Sequence, residues 1–175
     1  MENKTIFLLI GQKGSGKSFI GALMEREYGI KFIRVEDWAK QIIRDRSIDD
    51  ESYLEQVFKE IEKGVRESLI RWDKIVFEST GLTRYFDRMF ENLKRDFPLI
   101  TMGIYSESTT CLARVKARNR DIHIQVSDEE VDLINTEVRL KNFQPDFRIG
   151  NENNSEKELI EELGKLLKRA TPGPG

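Results

Sequence analysis

The spacing of apolar positions changes period several times along the chain, and each change marks an element. Thr5-Ile6-Phe7-Leu8-Leu9-Ile10 is a nearly continuous apolar run, the pattern of a strand buried on both faces. After a glycine-rich stretch, Ile20, Leu23 and Met24 recur at helical spacing, and Gly29 follows Tyr28 where a left-handed C-cap would end the helix. Ile30 to Val35 alternates apolar and charged residues as a second strand would, and leads through Glu36-Asp37 to a helix starting near Trp38. Ser47 to Ser52 is a polar break, after which Leu54, Phe58, Ile61, Val65 and Leu69 form a helical stripe. The span from Trp38 to Trp72 exceeds a simple crossover and predicts two helices.

Lys74 to Phe77 is the next strand, ending in Glu78-Ser79-Thr80-Gly81, and a helix beginning near Leu82 turns Phe86, Met89, Phe90 and Leu93 inward. Leu99 to Tyr105 is a fourth strand, opened by Pro98. Ser127 and Glu130 have capping-box spacing ahead of a helix through Val131, Ile134 and Val138. Asp146 to Asn151 supplies a short last strand, and Leu159, Ile160, Leu163, Leu166 and Leu167 an amphipathic closing helix. Strands that alternate with helices predict one α/β domain over residues 1–170, with 171–175 a disordered tail.

Composition narrows the partners. At 175 residues the chain suffices for one domain with a real core. Its 29 basic and 31 acidic residues leave a net charge of −2, which weighs against a general nucleic-acid binder. A single cysteine, Cys111, excludes an internal disulfide and suits a reducing, cytoplasmic setting. The first apolar run is far shorter than the roughly 20 residues that span a bilayer, so neither a signal peptide nor a membrane helix is expected. The lone histidine, His123, has no second histidine or cysteine nearby and is assigned no metal role.

The chemistry centres on Gly11-Gln12-Lys13-Gly14-Ser15-Gly16-Lys17-Ser18, which fills the phosphate-loop pattern G-x-x-x-x-G-K-[S/T] between a strand and a helix. A phosphate chain must be met by several backbone N–H groups at once. Gly11, Gly14 and Gly16 let the chain turn into such a nest, with Ser15 between them, and the new helix points its positive end inward. Lys17 then reaches the β- and γ-phosphates and the Ser18 hydroxyl ligates Mg²⁺.

Other candidates gather where strands end, which is where open α/β sheets bind ligands. Asp37 or Glu36 is placed to orient or deprotonate an acceptor hydroxyl, while Asp37 is equally suited to capping the next helix. Glu78 stands where a phosphate-loop enzyme carries its metal-side carboxylate, or serves as general base. Ser79, Thr80 and Gly81 add hydroxyls and a turn, and Arg84, with Arg88 one helical turn on, is a clamp for an anionic acceptor. Arg114, Arg118 and Arg120 form a basic cluster between two helices, as a small lid over residues 114–127 would. Gly150-Asn151 opens a turn-rich loop that can approach a nucleotide base.

Together the phosphate loop, Glu36-Asp37, the Glu78-Ser79-Thr80-Gly81 turn, the Arg114-x3-Arg118-x-Arg120 segment and Asp146 to Asn151 resemble the small P-loop kinases of nucleotides and metabolites. The lid and C-terminal segment look most like dephospho-coenzyme A kinase, and Ser79 to Arg88 is similar to shikimate- and gluconate-type kinases. That resemblance implies a three-layer P-loop NTPase fold, with a five-stranded parallel sheet in order 2-3-1-4-5, and ATP–Mg²⁺ as phosphoryl donor. By position it implies Lys17 and Ser18 on phosphate and metal, Asp37 on the acceptor, Arg114 with Arg118 or Arg120 on the transferring group, and Gly150-Asn151 near adenine. Glu78 stands where many relatives have aspartate, and the Asp-Gly and Pro-Arg signatures of adenylate-type kinases are absent, so a nucleoside monophosphate is not the favoured acceptor.

The expectation is therefore ATP-dependent phosphoryl transfer to a small metabolite or nucleotide-like acceptor, by a monomer or homodimer that engages neither membrane nor nucleic acid. Two alternatives stand beside it. One is a nucleotide-binding switch or slow NTPase acting on a partner protein, and the other a nucleic-acid end kinase.

Overall fold

The computed structural model describes residues 4–42, 51–118 and 126–171. Five parallel strands form one sheet in the order β2-β3-β1-β4-β5, as the motif resemblance implied. They are β1 (Thr5–Ile10), β2 (Lys31–Phe32), β3 (Lys74–Ser79), β4 (Leu99–Tyr105) and β5 (Phe147–Gly150). The helices are α1 (Lys17–Tyr28), α2 (Val35–Ile42), α3 (Glu51–Arg71), α4 (Arg84–Asp96), α5 (Ser108–Lys116), α6 (Asp128–Lys141) and α7 (Glu156–Ala170).

Every residue of β1 is buried, because the strand lies mid-sheet with helices on both faces. Its side chains alternate between two cores. Ile6, Leu8 and Ile10 join Ile75 and Phe77 under α3 and α4, where Val57, Ile61, Val65, Leu69, Phe86, Met89 and Leu93 pack. Phe7 and Leu9 face the other way with Val76, Met102, Ile104 and Ile149, covered by α1 and α7 through Ile20, Leu23, Met24, Leu159 and Leu163. Each fully buried aliphatic or aromatic side chain here contributes roughly 1.5–3 kcal/mol of transfer free energy, so this bilateral packing dominates the fold's stability.

Register sets the site. Leu9 pairs with Glu78 and Ile10 with Ser79, so the carboxylate at the end of β3 lies beside the point where β1 runs into Gly11. Tyr105 pairs with Gly150 at the corresponding end of β4 and β5.

Several boundaries differ from the sequence expectation. β2 spans only Lys31–Phe32, because Val35 already opens α2 and turns the chain off the sheet edge. Asp37 consequently sits inside the first turn of α2, where its charge suits the helix dipole, and is not the residue before the helix. On α3 Ile61, Val65 and Leu69 are buried as the stripe predicted, whereas in the first two turns Tyr53 and Val57 are the buried residues and Leu54 and Phe58 lie at the margin. α4 begins at Arg84, two residues after Leu82, because the Thr83 side chain accepts from the Phe86 N–H and caps it there. Both α6 and α7 start in capping boxes, Ser127 with Glu130 and Ser155 with Glu158, of which the spacing predicted the first.

Candidate active site

The phosphate loop wraps the start of α1 with Gly16 as N-cap in the left-handed region, at φ 98°. No side chain caps this terminus and no acid lies in its first turn, so the open N–H groups suit an anion. The glycines are sterically required as well. A Cβ on Gly14 would lie 2.1 Å from the Cys111 carbonyl oxygen, and one on Gly16 would lie 2.0 Å from Asn151 Nδ2. Ser15 is fully buried beneath the turn, and its Oγ has no hydrogen-bond partner among the described residues.

Lys17 Nζ donates to the carbonyls of Gly11 at 3.0 Å and Gln12 at 2.7 Å. Burial pushes its ammonium down to about 8, with Glu78 acting in the opposite direction and Lys13 and Arg118 adding to the depression. Ser18 Oγ donates to Glu78 Oε1 at 2.7 Å. Glu78 Oε2 is buried without a partner among the described residues. A hydroxyl and a carboxylate with one unspent oxygen are the hard donors that Mg²⁺ prefers. No group of three or more His, Cys, Asp or Glu among the described residues could hold a metal ion, so the remaining ligands would be phosphate oxygens and water.

The expected site residues are thus gathered unevenly. Arg114 lies behind the loop. Its Nη1 donates to Ser106 Oγ at 2.9 Å and to the carbonyls of Gly14 and Ser15 at 3.3 and 3.4 Å, and its Nη2 to the Asn151 carbonyl at 2.8 Å. Asn151 is buried there too, and its Nδ2 donates to the Ser15 carbonyl at 2.9 Å. Gly150 is exposed with open space around its Cα. Arg118 is half-buried, and its charge acts on both Lys13 and Lys17. Arg120 and half of the expected lid, residues 119–125, lie outside the described residues.

On the acceptor side, Ser79 Oγ accepts from the Gly81 N–H at 3.0 Å, and the Gly81 carbonyl accepts from Lys141 Nζ at 2.6 Å. Thr80 is half-buried between them. Arg84 pairs with Glu51 at 2.9 Å and donates to the Tyr85 hydroxyl at 3.0 Å, its side chain 67% exposed. Asp37 is exposed, whereas the charge of its neighbour Glu36 acts on Lys13.

Residues that sequence reasoning missed come from α6 and from the start of α5. Asn135, 2% exposed, accepts from the Lys13 N–H at 2.8 Å and donates to the Lys13 carbonyl at 3.1 Å. Arg139 donates to Gln12 Oε1 at 3.3 Å and to Ser108 Oγ at 2.7 Å. Ser106 Oγ accepts from Arg114 and donates to the Asn151 carbonyl at 2.6 Å. The usable signal was an amide at position 135 on the buried face that Val131 begins.

Residues 6–140 match the model of a family described as an AAA domain. The chain belongs to this AAA domain family. A shikimate kinase from Clostridium botulinum (strain Alaska E43 / Type E3) is 26% identical over 167 residues, an alignment covering 79% of this chain and 96% of the relative. The fold is shared with the Mycobacterium tuberculosis APS kinase solved in complex with AMPPNP and APS, at a TM-score of 0.63 and 16% identity over 95% of this chain and 98% of that one. It is shared also with the Acinetobacter baumannii shikimate kinase in complex with shikimate, at a TM-score of 0.61 and 16% identity over 97% and 95% of the two chains. Among these relatives the chain stands as a small P-loop kinase, a phosphotransferase, as its motifs implied. No helix among the described residues is long and apolar enough to cross a membrane.

Proposed function

We propose that this protein transfers the γ-phosphoryl group of ATP to a small hydroxyl- or phosphate-bearing metabolite in the cytoplasm. The observation that carries this reading is the Ser18–Glu78 pair beneath the loop, with one carboxylate oxygen left unspent beside the start of α1. Ser18 and Glu78 would hold Mg²⁺, which when bound neutralises the β- and γ-phosphate charge. The N–H groups of Gly14, Gly16, Lys17 and Ser18 cradle the phosphates, while that of Ser15 donates to the Gln12 carbonyl at 3.2 Å, and Lys17 exchanges its two carbonyl partners for phosphate oxygens. Arg118 faces the transferring group, and Arg114 holds the loop's shape from behind. The acceptor oxygen forms its bond to phosphorus as the bond to the β-phosphate oxygen breaks, with the electron pair leaving on ADP. Glu36 or Asp37 takes the acceptor proton, since both lie in the first turn of α2 and the charge of Glu36 acts on Lys13 of the loop.

The test is ATP consumption across an acceptor panel of shikimate and other sugar acids, adenylyl sulfate, dephospho-coenzyme A, nucleosides and nucleotides, with product mass confirming transfer. Acceleration of ADP formation by one class, with a matching phosphorylated product, is the expected result. A chain that binds ATP yet is accelerated only by a protein, with no phosphorylated acceptor, is a switch and not a kinase.

A further inference from the structure

The phosphate loop carries a second lysine that its motif does not require. Lys13 fills an undefined position of the pattern, yet its peptide is gripped at both ends by Asn135, as Oδ1 takes its N–H at 2.8 Å and Nδ2 its carbonyl at 3.1 Å. A buried amide that spends both ends on one residue fixes that residue's peptide planes, and with them the direction in which its side chain leaves the loop. The same helix, α6, is fastened further along. Arg139 reaches Gln12 and Ser108, and Lys141 donates to the Gly81 carbonyl at 2.6 Å and to Asp87 at 2.6 Å. One helix therefore braces both the phosphate loop and the turn after Glu78.

The side chain so aimed enters a convergence of charge. Burial holds the Lys13 ammonium below the usual lysine range; Glu36 and Glu78 oppose that depression and Arg118 deepens it. Lys17 feels Glu78, Lys13 and Arg118 in turn. Glu36 arrives from the first turn of α2, Glu78 from the end of β3, and Arg118 from just beyond α5. The charges of Glu36, Glu78 and Arg118 thus all act on this lysine, beside the anion-binding loop that Asn135 holds it in. A lysine with no ligand to meet is ordinarily turned to water, because desolvating an ammonium is costly.

We propose that Lys13 is a second phosphoryl-binding lysine of this loop: its ammonium contacts the γ-phosphoryl group from the acceptor side, opposite Lys17, and Asn135 is the positioning residue that aims it. The assignment rests on the phosphoryl-transfer reading above and names a further contact within it. Lys13 neither gives nor takes a proton; it offsets negative charge on the non-bridging oxygens of the transferring group.

Calorimetric titration with ADP and with the non-hydrolysable analogue AMPPNP, both with Mg²⁺, tests this without knowledge of the acceptor. In Lys13→Met the Kd for ADP stays within twofold of wild type, while the Kd for AMPPNP rises at least tenfold. Lys13→Arg recovers most of that loss, and Asn135→Ala reproduces part of it with the same selectivity. Lys17→Met weakens both nucleotides and serves as the comparison. If Lys13→Met weakens the two nucleotides equally, or weakens neither, the assignment is wrong while the kinase reading stands. A wild-type protein that binds neither nucleotide overturns the proposed function and this assignment with it.

Discussion

The Arg114 guanidinium and the Asn151 carbonyl are joined at 2.8 Å, and both residues also grip the carbonyl of Ser15, with Arg114 Nη1 at 3.4 Å and Asn151 Nδ2 at 2.9 Å. This strap lies on the outer side of the phosphate loop. Arg114→Ala takes the guanidinium from the Gly14 carbonyl and from Ser106 Oγ, and leaves the Ser15 and Asn151 carbonyls one donor fewer each, at a cost of about 2–3 kcal/mol. The expected result in differential scanning fluorimetry is a Tm lower by roughly 4–12 °C. Arg114→Lys recovers only part of it, because an ammonium lacks the planar fork that spans these acceptors. Unchanged stability with slowed turnover would instead assign Arg114 to the transferring group.

Glu78→Gln keeps an acceptor for Ser18 Oγ but removes the charge. Its stability should stay within about 1 kcal/mol of wild type. The Mg²⁺ concentration needed for tight ATP binding should rise roughly 10–100-fold. A magnesium titration followed by nucleotide fluorescence reads this, and an unshifted midpoint would remove Glu78 from the metal site.

Lys17 makes the fold less stable at neutral pH. Its folded-state value of about 8 lies below the ordinary 10.5, so the unfolded chain holds the proton more tightly. Below pH 8 both states are protonated and the penalty is constant, on the order of 3 kcal/mol. Between about 8 and 10.5 the folded state alone loses the proton, and stability rises with pH through this one group. Urea unfolding in EDTA without nucleotide should therefore find Lys17→Met more stable than wild type at pH 7. That advantage should shrink by pH 10. A variant equally stable at both pH values would show that the ammonium costs the fold nothing.

Gly64 tests the docking of α2 on α3. A Cβ there would lie 2.4 Å from the Trp38 ring, so Gly64→Ala must displace the indole. Alanine raises helix propensity by up to about 1 kcal/mol, against an overpacking cost of about 1–3 kcal/mol. A net fall in Tm is expected. Any rise would mean that Trp38 moves without loss.

The legible parts of the fold were those encoded locally. Thr5 to Ile10 declares a two-face-buried strand by its unbroken apolar run, and Gly11 to Ser18 declares its loop because the nest needs glycines at fixed positions. The β2 region misled because alternation over Ile30 to Val35 is satisfied equally by a strand end and by a helix start, and Val35 is the buried first residue of α2. Glu78 was readable as a strand-end acid, but its contact with Ser18 depends on the β1–β3 register, which no local pattern carries. Arg114 was picked out for its charge, and charge alone does not distinguish an arginine that meets phosphate from one that meets carbonyls. Asn135 was passed over because its two partners are the peptide groups of a residue 122 positions away.

Lys17 already has partners. The carbonyls of Gly11 and Gln12 occupy two of the three directions in which its ammonium donates, so arriving phosphate oxygens compete with the loop's own backbone for those protons. Nucleotide binding is then an exchange reaction at this residue, with nearly as many hydrogen bonds broken as made. Its measured heat should be small relative to the number of contacts in the complex. Affinity would come mainly from charge neutralisation, and should weaken steeply as salt is raised.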